Sequence, residues 1–168
     1  MNGANFNWDA AAFFERLTAA NKFAQEHGYR FARVSSLDGF LAALGSMQST
    51  TAFVAVGDES QGALDVENTP HTRHVKSIFF AKRHAVDDMN ARERALDNMR
   101  ELFRQFMSAL NLEKIRIEEN NIFIEPRISI TEIDRYFFTG CACAYFLIAI
   151  DTYTDLSYNP DEWLSEIL

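Results

Sequence analysis

The chain is short of the residues that crosslink, interrupt or concentrate positive charge. Two cysteines in 168 residues, Cys141 and Cys143, cannot build a disulfide framework. They fit a reducing compartment. The opening MNGANFNWDAA has neither the basic start nor the apolar centre of a secretion signal, so a cytoplasmic location as synthesised is expected. Seven glycines and three prolines include no Gly-rich phosphate loop and no low-complexity linker. Lys and Arg number 16 against 24 Asp and Glu, a net charge of −8. That balance lacks the broad basic footprint of a nucleic-acid-binding domain, so no specific nucleic-acid partner is expected. The local exception is a basic stripe of Lys76, Lys82, Arg83 and His84. The most apolar run, Gly140 to Ile150, is too short to span a bilayer, which argues against a membrane partner.

What is present is core material. Apolar residues make up 48% and charged residues 24%, a globular mixture and not a disordered one. Fifteen phenylalanines supply apolar volume with no polar group to satisfy, and such residues belong in cores or subunit contacts. The length suits one domain. The expectation is a single α+β domain over 1–168, with helices in 8–44, a core over about 50–152 and a tail over 153–168.

Local patterns give the elements. A helix from about Trp8 to His27, capped by Asn7 and stopped by Gly28, would bury Ala10, Phe13, Phe14, Leu17, Ala20 and Ala24. A strand at Tyr29 to Val34 and a short helix from Leu37 to Leu44 follow. Thr50 to Val56 (TTAFVAV) is β-branched and apolar on both faces, the mark of an interior strand. Gly57 to Arg73 (GDESQGALDVENTPHTR) is acidic and turn-rich and reads as one long loop. His74 to His84 (HVKSIFFAKRH) is the next strand. Asp87, Asp88 and Asn90 then offer caps for a long helix. On it Leu96, Met99, Phe103, Phe106 and Leu110 recur at helical spacing, with Leu102 and Met107 beside them and Arg92 to Arg104 opposite. Ile115 to Glu118 reads as a small strand and Glu119-Asn120-Asn121 as a turn. Ile122 to Ile130 alternates apolar and polar, but Pro126 removes a backbone donor, which predicts an edge position or a bulge. Phe137 to Ile150 is apolar on both faces and is expected at the sheet centre. Helices segregate from strands, so the fold class is α+β, with a mostly antiparallel sheet covered by helices.

The residues that carry chemistry elsewhere have structural readings here. Cys141 and Cys143 lie two apart in a strand, so their side chains run parallel on one face, a poor disulfide geometry. No further ligands stand at zinc spacing. His71, His74 and His84 would be held far apart by an extended strand, and no HExxH is present. The acid pairs Asp87-Asp88, Glu118-Glu119 and Asp161-Glu162 fall at helix starts or turns, where carboxylates cap and orient. No serine sits in G-x-S-x-G. The expectation is therefore no catalytic, cofactor-binding or metal-binding residue.

The order TTAFVAV, long loop, HVKSIFFAKRH, then the helix DDMNARERALDNMRELFRQFMSAL and the closing strand TGCACAYFLIAIDT resembles the tail terminator, or tail completion, proteins of long-tailed bacteriophages and prophages. The resemblance covers roughly Thr50 to Thr152 and rests on element order and residue texture. It implies a structural protein with no catalysis. Identical subunits would close head to tail into a ring, near six copies, at the junction of head and tail. The partners would be the chain itself and tail-tube or head-connector proteins. The Gly57 to Arg73 segment would be an arm that orders on a neighbour, and the Arg92 to Arg104 face would pair with acids of the adjacent subunit.

Two other classes are compatible with the residues. A small-molecule-binding or enzymatic α+β domain would line a pocket with Tyr136, Phe138, Tyr153, Tyr158 and Trp163. An acidic immunity or regulatory protein would show a carboxylate face and salt-sensitive binding.

Overall fold

The computed structural model describes residues 8–34, 39, 42, 52–67, 69–133 and 140–164, with backbone alone at 58–61. The elements are α1 (Ala10–Ala20), α2 (Lys22–Glu26), β1 (Tyr29–Val34), β2 (Ala52–Asp65), β3 (His71–Arg83), α3 (Met89–Glu118), β4 (Ile122–Ile124), β5 (Ile130–Ile133) and β6 (Cys141–Tyr153). A 3-10 turn, Pro160–Glu162, ends the described chain. The class is α+β, as the segregation of helices and strands indicates.

The sheet order is β1-β2-β3-β6-β4, with β5 also paired to β6. It is a mixed sheet and not a mostly antiparallel one, because β1 runs parallel to β2 at one edge. The other four pairings are antiparallel. The strands read as apolar on both faces, β2 and β6, lie inside the sheet. The alternating run Ile122 to Ile130 breaks at Pro126 into β4 and β5, which share one edge of β6. Pro126 thus sits at an edge interruption, where its missing N–H costs no ladder bond.

The predicted first helix is two. Asp9, and not Asn7, caps α1: the Ala12 N–H donates to its Oδ1 at 2.9 Å. At Asn21 the backbone turns extended, and its side chain accepts from the Ala24 N–H at 2.7 Å to start α2. Such a cap is worth about 1 kcal/mol. Gly28, at φ 74°, makes the left-handed turn into β1. Ala20, expected inside, is exposed, while Thr18 is buried and returns its hydroxyl to the Phe14 carbonyl at 2.7 Å.

Helix α3 is capped by Asp88, which accepts from the Ala91 N–H at 2.8 Å. It buries Leu96, Met99, Leu102, Phe106 and Leu110. The helix continues through 115–118, where a strand was expected. Ile117 is fully buried beside Ile122, and that packing outweighs its β-branched preference. The turn at Glu119 to Asn121 is present, with Asn121 at φ 56°. The predicted helix Leu37 to Leu44 lies outside the described residues apart from Gly39 and Ala42, which have helical backbone.

Helices α1 and α3 cover one face of the sheet. Phe14, Phe80, Phe103, Phe106 and Phe146 join them to β3 and β6, with ring centroids 5.1 to 5.9 Å apart in tilted or edge-on contacts. On the opposite face a smaller cluster of Val34, Phe53, Ala55, Ala81, Cys141 and Cys143 is buried at the end where β1 pairs with β2.

Candidate functional site

Strand periodicity decides what each face presents. Register pairs Arg73 with Asp151, Val75 with Ala149, Ser77 with Leu147 and Phe79 with Tyr145, and all lie on the face away from the helices. Among the described residues, no buried helix residue joins the cluster on that face. Beyond Phe79 and Tyr145, whose rings meet at 5.8 Å, the face opens to solvent. Leu147 is 47% exposed, Phe123 49% and Tyr153 50%. Arg73 crosses this surface, reaching Asp151 at 3.3 Å and also Glu125. Large apolar side chains left half uncovered around an ion-pair network give this face the mixed character of a protein–protein contact.

The segment Gly57 to Arg73 is no loop. Strands β2 and β3 continue through it as an antiparallel ribbon to Asp65 and His71. Past Asp65 the Glu67 N–H donates to Asp65 Oδ1 at 2.9 Å. Residue alternation there is weak, but the ribbon has β6 as a third strand, because β3 pairs with β6 along its whole length. Among the described residues, the pairing of β2 with β1 ends at Gly57. Leu64 and Val66 at the tip are exposed. The result is an arm that already has its shape.

At the other end of β3 lies a pocket of about 550 Å³ lined by His27, Lys82, Arg83, His84, Ala91, Arg94, Ala95, Asp97 and Asn98. Three segments build it: the end of α2, the last turn of β3 and the first turns of α3. Burial holds the Lys82 ammonium below the usual lysine range, and no described carboxylate pairs with it. His84 hydrogen-bonds the Ala85 carbonyl through Nδ1 at 2.8 Å, and its buried Nε2 has no partner among the described residues. Asp97, the one carboxylate among the described lining residues, is held by Arg100. The basic stripe seen in sequence supplies Lys82, Arg83 and His84 to this pocket. Lys76 stands six residues back along β3.

The remaining candidates separate. His71 and His74 lie on opposite faces of β3, and His84 follows its far end. Among the described residues no three His, Cys, Asp or Glu side chains gather as a metal site. The two thiols are free and buried, with Sγ atoms 3.7 Å apart. The Cys143 thiol donates to Cys141 and draws the Cys141 pKa down, with Arg83 helping; that bond and burial push Cys143 up. Asp88 is a cap, Glu118-Glu119 closes α3, and Asp161-Glu162 forms the 3-10 turn.

Much of the arginine face of α3 is satisfied inside the chain. Arg100 pairs with Asp97 and Glu132, Arg104 with Glu101, and Arg92 donates to the Ile133 carbonyl. Tyr158 and Trp163 stack on each other at 6.2 Å and are exposed, while Tyr136 and Phe138 lie outside the described residues. No described helix is long and apolar enough to cross a membrane. Neither a protein-family profile nor a curated protein matches the chain.

Proposed function

We propose that this chain is a structural assembly protein of the phage tail terminator type, which acts by self-association into a closed ring and by contact with a tail tube or head connector. The observation that carries the reading is the open half of the sheet: Tyr145, Leu147, Phe123 and Tyr153 lie on one face, with none of the helices α1 to α3 over them. A monomer gains nothing from leaving that surface wet, whereas a subunit contact would bury it. The preformed arm gives such a subunit something to project onto a neighbour. A ring needs one surface to meet a different surface on the next copy, so that rotation closes the chain of subunits.

The test is sedimentation of the full chain over a wide concentration range, alone and with polymerised tube protein from the same genome. Self-association or capping of the tube supports the reading. A monomer at every concentration that also leaves the tube free would sink it. Leu147→Asp with Phe123→Asp weakens association at least about tenfold if the open face is the contact, because an interfacial charge with no partner is costly.

The pocket favours a second reading, a domain that binds a small anion, since several cationic groups line it around one engaged carboxylate. Calorimetry with inorganic pyrophosphate separates the two. Tight binding with no self-association would favour this second reading.

A further inference from the structure

We infer that the basic pocket at the end of β3 receives the acidic tip of the β2–β3 arm from a second copy of the chain. The inference deepens the assembly reading and rests on it.

Charge is the first observation. The protein carries a net charge of −8, yet one pocket sets Lys82 and Arg94 beside His27 and His84, and the one carboxylate among its described lining residues, Asp97, is already engaged by Arg100. Arg94 is only loosely held, 3.9 Å from Asp88, and 70% of its side chain is exposed. Lys82 has no carboxylate partner among the described residues, and the buried Nε2 of His84 lacks one too. Like charges brought together repel unless an anion joins them.

The arm tip has the complementary chemistry. Asp65 and Glu67 are exposed, and neither pairs with a cation among the described residues. The bond from the Glu67 N–H to Asp65 Oδ1 fixes the turn and leaves the second oxygen of Asp65 outward. Leu64 and Val66 alternate with these acids and offer apolar contact.

Geometry selects a second copy. Arm tip and pocket stand at opposite ends of β3, which runs from His71 to Arg83 with His84 just beyond. An extended strand of that length spans roughly 40 Å, so an arm cannot reach the pocket of its own chain. Donor and acceptor on opposite ends of one rigid strand make a head-to-tail contact, the kind that propagates into rings or filaments.

The experiment uses two variants of the full chain. One carries Asp65→Lys and Glu67→Lys, which spoils the arm and keeps the pocket. The other carries Lys82→Gln and Arg94→Gln, which spoils the pocket and keeps the arm. Circular dichroism and thermal melts establish that each is folded; should the second fail to fold, Arg94→Gln alone replaces it. Analytical ultracentrifugation is expected to show each variant associating roughly a hundredfold more weakly than the parent. Mixed one to one, they form a heterodimer and grow no further, because the mixture holds one sound arm–pocket pair. Variants that assemble like the parent overturn the inference and leave the assembly reading standing. So does a mixture of two folded, non-assembling variants that stays monomeric, or loss of assembly in the pocket variant alone. A parent chain that never associates removes the inference, and one that also leaves the tube free removes the reading with it.

Discussion

The two ends of the sheet are built to different rules. At the end where β1 joins β2, both faces are buried: Val54 and Phe80 lie under the helices, and Phe53, Ala55 and Ala81 are covered on the reverse. At the arm end the helix-side face is still filled by Ile122, Ile148, Ile150 and Ile117, but the reverse face shows Leu147, Phe123 and Tyr153 to solvent. The same strands run through both ends, so the difference is one of covering and not of strand composition. Residues at the first end hold the chain folded. Residues at the second contribute little to the isolated chain and are free to serve a contact.

The sharpest way to break this contrast uses one residue type on one face. Phe53 is 2% exposed and Phe123 is 49% exposed, and both point away from the helices. Phe53→Ala is expected to cost about 3–5 kcal/mol in chemical unfolding, from lost transfer energy and a cavity. Phe123→Ala is expected to stay within about 0.5 kcal/mol. Equal costs at the two sites would end the distinction. A smaller effect sharpens it from the covered side. Asn21→Ala removes the cap of α2 and the 2.8 Å bond from its amide to Gln105 Oε1, and about 1 kcal/mol of stability is expected to go.

The smallest effect compares two carboxylates. Glu113 accepts from Arg116 and from the Trp8 indole N–H at 3.1 Å, and its side chain is 11% exposed. The Arg116 bond is the largest influence holding its pKa below the usual 4.5. A depressed folded value means that the ionised form stabilises the fold fully above the unfolded pKa. That stabilisation is lost as pH falls through the folded value. Glu113→Gln is therefore expected to lower stability by about 1 kcal/mol near neutrality, with the gap to the parent narrowing below pH 4.5. Glu125, on the open face with its side chain 44% exposed, is expected to show under about 0.5 kcal/mol on the same substitution. Thermal melts of both variants across the acid range decide it.

Much of the framework was legible because local pattern and tertiary packing agree. Runs apolar on both faces placed β2 and β6 inside the sheet. The Leu96, Met99, Phe106 and Leu110 spacing gave the buried stripe of α3, and Pro126 marked the interrupted edge. Where local signals and packing disagree, the reading failed. Ile115 to Glu118 carries strand-favouring residues, but Ile117 is held in the helix by the core. The arm looked like a loop because its alternation is polar and its support comes from β6, some eighty positions away. The parallel pairing of β1 had no signal in either strand. The pocket was only partly visible. Lys82, Arg83 and His84 are neighbours in sequence, whereas His27 and Arg94 reach it from helices on either side.

The irregularity in β2 has a consequence for how this molecule tolerates change. Between Val56 and Ser60 the strand advances four residues while its partner retreats two, from Ile78 to Lys76, so β2 holds two surplus residues there. An even surplus preserves parity, and Leu64 keeps the side of the sheet that Val56 has. Removing both surplus residues would straighten the ribbon and leave every later side chain on its own side. Removing one would turn the whole outer segment over, exchanging what faces the helices with what faces away. Length variation in this ribbon is therefore quantised in pairs.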